Sequence, residues 1–349
     1  MSDNPMRAMM HAALNRPDAE LIAGAGGAPR TAGGRTLDPR FQFLEAQSKA
    51  AAAANPPAGP PTPEASRAQA DGIPAMFAGD PEPGVTWENL TIPADGRGIP
   101  ARAYRPAKQD AAQPLIVFYH FGGGVIGSIE TCHCFCTMLA SICETAVLSI
   151  EYRLAPEHRF PAGLDDAISG YEWGVANAAR FGAAAGKAAV GGDSMGGNFS
   201  AIVAQEMKRK GGPQPVVQLL IYPALDVASK LPSMTTYGDA FPLSAQTMAW
   251  FMVNYMNEGD DPKNPRLSPM YGDVKGLAPA LIYTAGFDPL NDEGPAYAEK
   301  LRAAGVPVTF ECFDHLAHAF TAFTGAIPAA DVACRKIATE MRDALRKAR

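Results

Sequence analysis

The sequence predicts an α/β protein built on an open, mostly parallel sheet flanked by helices. Three observations carry this. Short apolar runs alternate with helical stretches from about residue 115 onward. Those runs are continuously apolar, the pattern of strands covered on both faces. A Gly-x-Ser-x-Gly turn, Gly192-Asp193-Ser194-Met195-Gly196, falls where one strand gives way to a helix.

Taken in chain order, residues 1–85 are rich in Ala, Gly and Pro and read as an accessory segment. Asn55-Pro56-Pro57-Ala58-Gly59-Pro60-Pro61 interrupts any helix formed by residues 41–54. Strand-like pieces at 85–92 and 99–104 are joined by Ala94-Asp95-Gly96-Arg97-Gly98, a hairpin loop. Strands follow at 115–119, 146–151, 188–192, 216–221, 280–285 and 308–313, with helices at about 195–210, 292–304 and 329–347. Between 225 and 269 the rhythm breaks, and 244–256 reads as an amphipathic helix outside the sheet.

A chain of 349 residues can bury about 75% of its extended surface, and 47% hydrophobic content with 19% charge excludes an intrinsically disordered chain. No run approaches the roughly 20 apolar residues of a bilayer-spanning helix, so no membrane insertion is expected. Thirty basic against 36 acidic residues, unclustered, argue against nucleic acid as a partner. Met1 to Leu14 carries Arg7 without an apolar stretch behind it, so no secretory signal is expected and the cytoplasm is the default compartment. Cys132, Cys134 and Cys136 flank His133, but on a helix Cys134 faces away from the other two, so no metal site is expected there.

A serine after a strand needs a base, an orienting acid and an oxyanion site to act as a nucleophile. Asp288 in Gly286-Phe287-Asp288-Pro289-Leu290 follows one strand, and His318 in Leu316-Ala317-His318-Ala319-Phe320 follows the next. The order Ser194, Asp288, His318 is that of an α/β-hydrolase triad. His315 is the competing base and reads as a polar loop residue, while Asp292 and Glu293 read as acids offsetting a helix dipole. His120-Phe121-Gly122-Gly123-Gly124 could supply oxyanion-stabilising N–H groups. The same loop has a rival reading. Gly122-x-Gly124-x-x-Gly127, with Glu151 at the end of the next strand, is a formal dinucleotide fingerprint of an NAD(P)-dependent oxidoreductase.

Tyr119-His120 with its glycines, Tyr152-Arg153-Leu154-Ala155-Pro156-Glu157-His158, Gly192 to Asn198, Asp288 to Gly294 and His318-Ala319-Phe320 together resemble the bacterial hormone-sensitive-lipase-like esterases with a G-D-S-A-G motif. The resemblance runs from about residue 85 to the C-terminus. It implies an α/β-hydrolase fold (catalytic domain 86–349) with a helical cap built from residues 1–85 and an insertion at about 225–265. It implies a serine carboxylesterase for short to medium acyl esters that works through an acyl-enzyme. Ser194 would be nucleophile, His318 general base and acid, Asp288 orienter, and the N–H groups of Gly122, Gly123 and Met195 the oxyanion hole. The partner is a small-molecule ester, and no cofactor or metal is implied. Oligomeric state is left open by the residues; relatives in this branch often form homodimers through the last strand and helix.

Three features depart from the family pattern. Met195 stands where alanine is usual and Ala319 where glycine is usual. In the oxyanion loop Phe121 replaces the first glycine and Gly124 the aromatic, which raises the question of a one-residue shift of the donors. Gly124 in place of an aromatic is expected to leave extra room for bulkier esters.

Overall fold

The computed structural model describes residues 5–56, 59–94 and 96–348. The chain opens with helices α1 (Pro5–Leu14) and α2 (Asp18–Gly24), a short antiparallel pair β1 (Thr31–Ala32) and β2 (Arg35–Thr36), and helices α3 (Pro39–Ala54) and α4 (Pro63–Phe77). Both long helices begin at a side-chain cap followed by proline: Asp38 accepts from Arg40 N and Thr62 from Ala65 N. The expected break at 55–61 separates them; its Pro57 and Ala58 lie outside the described residues.

Strands β3 (Thr86–Ala94) and β4 (Arg97–Arg105) form the expected hairpin, whose Asp95 lies outside the described residues. There follow β5 (Leu115–Tyr119), α5 (Ile129–Cys143), β6 (Val147–Ile150), α6 (Ala162–Asn177), β7 (Ala188–Asp193), α7 (Met195–Lys210) and β8 (Gln218–Ile221). The insertion contributes a one-turn helix α8 (Ser233–Thr236) and α9 (Ala245–Tyr255). The chain ends with β9 (Ala280–Phe287), α10 (Glu293–Ala303), β10 (Val308–Ala317) and α11 (Pro328–Lys347).

The main sheet runs β10-β9-β8-β7-β5-β6-β4-β3, parallel from β10 to β6 and antiparallel across β6-β4-β3. Every residue of β5 to β9 is buried, which is why those segments read as unbroken apolar runs. The edge strand β3 exposes most of its residues. The chain leaves β5 for β6 on one side and returns to β7 on the other. Strand order therefore reverses at β5 and β7, and their outgoing loops open a crevice at the carboxyl edge of the sheet.

The N-terminal segment packs into the main core. Leu14, Leu21, Phe41 and Phe43 share one buried cluster with Phe118, Tyr283 and Ile337. Phe41 meets Phe323 edge-on at 5.2 Å. Arg35 of β2 reaches Asp314 at 2.8 Å, the Tyr237 hydroxyl at 3.0 Å and Asn291 Oδ1 at 3.2 Å, spanning the insertion and two late segments. On α5, Cys132 and Cys136 stack one turn apart with their sulfurs 3.7 Å apart. Cys134 turns away to donate to Gly79 O.

Candidate active site

Four loops at the carboxyl edge of the parallel strands build the site: those after β5, β7, β9 and β10. Ser194 follows β7 directly, with φ 55° and ψ −115°. This strained turn survives because the surrounding packing fixes it. A side chain on Gly196 would bring Cβ to 1.9 Å from Tyr119 O, so the helix behind the serine can lie against β5 only with glycine there.

Ser194 Oγ stands 2.9 Å from His318 Nε2, and His318 Nδ1 stands 2.6 Å from Asp288 Oδ2. All three side chains are buried. Asp288 Oδ1 accepts from Leu290 N at 2.8 Å, which fixes the carboxylate plane. A carboxylate at Nδ1 sets that nitrogen as the donor and leaves Nε2 free to accept the serine proton. His315, the competing base, is exposed on β10, and its carbonyl accepts from Asp38 N.

Gly122 and Gly123 open into cavities that Ser194 also lines, as does Met195. His120 sits beneath their loop, stacked on Tyr152 with centroids 4.1 Å apart, and its Nδ1 donates to Phe121 O at 2.7 Å. Burial pulls the His120 imidazole down to about 4, so it is neutral at pH 7. Phe121 is buried and forms part of the larger cavity wall. Gly124 does not provide the extra room expected of it. A Cβ there would lie 2.6 Å from two ring carbons of Tyr255 on α9, so an aromatic from the insertion already fills the space.

The dinucleotide reading fails on the same loop. Glu151 does not face a ribose site; it accepts from Ile129 N at 2.7 Å and so closes the first turn of α5. Gly127 is where the backbone folds back on itself, since a Cβ there would stand 2.4 Å from Phe121 O.

Two buried carboxyls exceed what local pattern reveals. Asp193 Oδ2 accepts from Thr321 Oγ1 at 2.8 Å and from the Tyr222 hydroxyl at 2.9 Å, which links the residue before Ser194 to the turn after His318. Its burial raises it to about 6. The available signal was an acid closing an otherwise apolar strand. Glu293 is buried at 1% exposure, with Oε2 accepting from Leu225 N at 2.6 Å and Asp226 N at 3.0 Å. It ties the insertion to α10 rather than offsetting that helix's dipole in solvent. Asp292 accepts from Ser233 N at 2.8 Å and so anchors α8.

Residues 116–322 match the family model described as alpha/beta hydrolase fold. The chain is 45% identical over 263 residues to the carboxylic ester hydrolase LipN of Mycobacterium tuberculosis, covering 73% of this chain and 69% of LipN. It is 36% identical over 262 residues to the ethyl acetate hydrolase of Pseudomonas putida, covering 74% and 82% of the two chains. Among solved structures, an alpha/beta hydrolase enzyme from the metagenome of Lake Arreo matches with a TM-score of 0.83 at 36% identity, over 88% of this chain and 98% of that one. A Pyrobaculum calidifontis esterase matches with a TM-score of 0.77 at 36% identity, over 81% and 93%.

Proposed function

This chain belongs to the alpha/beta hydrolase fold family, among its hormone-sensitive-lipase-like carboxylesterases, and hydrolyses carboxylic esters; from that premise we propose that Ser194, His318 and Asp288 perform the reaction on short to medium acyl esters. The observation that carries the assignment is the unbroken contact from Ser194 Oγ to His318 Nε2 at 2.9 Å and from His318 Nδ1 to Asp288 at 2.6 Å.

Ser194 Oγ attacks the ester carbonyl carbon as His318 Nε2 takes its proton, giving a tetrahedral intermediate. Its oxyanion is received by the N–H groups of Gly122, Gly123 and Met195. Support for this register, against one shifted to Gly124, is that Gly122 and Gly123 share the Ser194 cavities while Tyr255 covers Gly124. His318 returns the proton to the departing alcohol, the acyl group stays on Ser194, and water activated by the same histidine releases the acid. Asp288 holds the imidazole tautomer and stabilises the imidazolium.

Residues 1–85 and about 225–265 act as the cap over this site, a reading supported by Ile73, Phe77, Trp250 and Phe251 in the wall of the larger cavity. Homodimer formation through β10 and α11 rests on the likeness to the esterase branch. Cytoplasmic residence is supported by six cysteines that are all free thiols.

The test is covalent labelling with an aryl phosphonate, followed by peptide mass spectrometry and burst kinetics on a nitrophenyl ester. The label is expected on Ser194 with a burst of one equivalent; a label on another residue overturns the assignment.

A further inference from the structure

Ser194 lines a cavity of about 70 Å³ together with Met195, Met248, Phe251 and Leu290. Besides Ser194, the polar side chains in its wall are Asp226, Ser229 and Glu293, and among the described residues no cationic side chain lines it. Two of the three have their oxygens engaged. Asp226 accepts from Ala228 N at 2.9 Å with one carboxylate oxygen and from the Tyr271 hydroxyl at 3.0 Å with the other, and Ser229 Oγ accepts from Leu231 N at 3.4 Å. Glu293 differs. Its Oε2 holds Leu225 N and Asp226 N, while its Oε1 is buried with no hydrogen-bond partner among the described residues.

A buried polar atom without a partner is costly, and a ligand that reaches Oε1 through the cavity recovers that cost. Burial raises the Glu293 carboxyl to about 8 against its two backbone N–H bonds, and the like charges of Asp226 and Asp288 add to the rise. Glu293 is therefore a neutral acid at pH 7. With Oε2 taken by two donors, the proton sits on Oε1, which can both donate and accept. These features select among ligand groups. An alkyl group leaves Oε1 without a partner. A second carboxylate meets the like charge of Asp226. An ammonium sheds its hydration against methionine, phenylalanine and an uncharged acid. An uncharged hydroxyl accepts the Oε1 proton at a small desolvation cost.

We propose that Glu293 Oε1 is the polar group of a hydroxyl-binding site in this cavity, so that the substrate class is an ester carrying a hydroxyl a few carbons from the carbonyl that Ser194 attacks. The assignment rests on Ser194 as the nucleophile. About 10–15 Å³ of such space holds one water-sized group, so the cavity takes roughly five to seven heavy atoms and sets the reach of the hydroxyl.

The experiment is a hydroxyl scan on the full chain. One series is ethyl hexanoate bearing a hydroxyl at each acyl carbon from C2 to C6 in turn, and the other is hexyl acetate hydroxylated at the same carbons of its alcohol. In one series, one position or two adjacent positions are expected to raise kcat/KM by about 3- to 10-fold over the parent ester, the worth of one neutral hydrogen bond. Glu293→Gln should keep that peak, because the amide oxygen still accepts from Leu225 N and Asp226 N and its N–H donates where Oε1 does. Glu293→Met should abolish the peak, with thermal melting to check the fold. An amino group at the peak position should fall below the hydroxyl whichever variants fold; an amino ester that exceeds it would make Glu293 an anion and overturn the assignment. A peak that survives Glu293→Met, or two flat series with turnover still dependent on Ser194, also overturns the site while leaving the triad standing. Turnover that survives Ser194→Ala would instead bring down the nucleophile, and the site with it.

Discussion

Thr321 donates a 2.8 Å hydrogen bond to Asp193, joining the turn that follows His318 to the strand that delivers Ser194. The Tyr222 hydroxyl donates to the same carboxylate oxygen at 2.9 Å and lies against Thr321, while Tyr222 itself faces the His318 ring at 4.8 Å. Nucleophile and base follow different strands, 124 residues apart in sequence, and this buried triangle fixes their relative position. The other carboxylate oxygen of Asp193 has no hydrogen-bond partner among the described residues, which is costly inside a protein and accords with the raised pKa that burial produces.

Asp193→Asn keeps an acceptor for both hydroxyls and removes the titration, so its clearest effect is on stability against pH. The Asp193 carboxyl rises from 3.8 to about 6 on folding, so the stability it gives is full below pH 4 and is lost as pH climbs through 6. His120 falls from 6.5 to about 4 and has the opposite sign: its stability is full above pH 6.5 and is lost as pH falls toward 4. Each change is worth roughly 3 kcal/mol, so the two slopes oppose each other in the parent chain. In Asp193→Asn, stability should rise with pH between 4 and 6.5 more steeply than in the parent. Urea unfolding at four pH values reads this; parallel curves for the two proteins would sink it.

Removing the base should separate the two histidines. His318→Ala is expected to lower kcat by about 10²- to 10⁴-fold, the usual contribution of general base catalysis. His315→Ala, at an exposed position, should stay near the parent rate. Asp288→Asn should cost about 10⁴-fold by favouring the wrong tautomer of His318. If His315→Ala proves the more damaging substitution, the pairing of His318 with Ser194 is not the working one.

The triad was legible because each member follows a strand, fully buried for β7 and β9 and partly exposed for β10, and a glycine-flanked serine with a later acid and histidine in that order suits few folds besides this one. The possible helix at 41–54 falls within α3, whereas α4, which starts at the Thr62 cap and Pro63, was not foreseen in the Ala-, Gly- and Pro-rich stretch. What stayed hidden depends on contacts between distant segments. Leu14, Leu21, Phe41 and Phe43 are sparse in an Ala- and Gly-rich stretch, so nothing local shows that they enter the main core. Glu293 looks like any acid at a helix start until Leu225 and Asp226 are brought onto it. The space at Gly124 is taken by a ring from α9, 131 residues later, which the loop's own residues do not foretell.

Arg67 is expected to act on substrate size rather than on chemistry. From α4 it donates to Val125 O at 2.9 Å and Ala155 O at 2.7 Å, and pairs with Glu157 through two nitrogens. The pair with half-exposed Glu157 contributes about 0–1 kcal/mol, so the two carbonyl bonds do most of the fastening. Arg67→Ala should loosen the α4 wall of the larger cavity, raising KM for naphthylmethyl acetate several-fold while kcat on ethyl acetate holds. Arg67→Lys keeps the charge without the fork and should behave like alanine. An equal fall in kcat on both esters would place the defect at Ser194 instead.

Gly124 and Tyr255 constrain each other. Gly124 has φ +73°, where a side chain costs about 1–2 kcal/mol, and its Cβ would stand 2.6 Å from the Tyr255 ring. Tyr255 is fully buried, packs on Phe160 at 6.1 Å, and holds that segment through its carbonyl, which accepts from Phe160 N at 2.9 Å. A larger residue at 124 therefore cannot reach the ester pocket without first moving α9. Gly124→Trp should depress turnover of acetate and naphthylmethyl esters together, because displacing the loop takes the Gly122 and Gly123 donors with it, at about 2.7–4 kcal/mol per donor lost. Gly124→Ala combined with Tyr255→Ala should lose less than the two single changes added, since the second opens the space the first requires. A selective loss on bulky esters in Gly124→Trp, or strict additivity in the pair, would mean that Tyr255 is not what closes this side of the site.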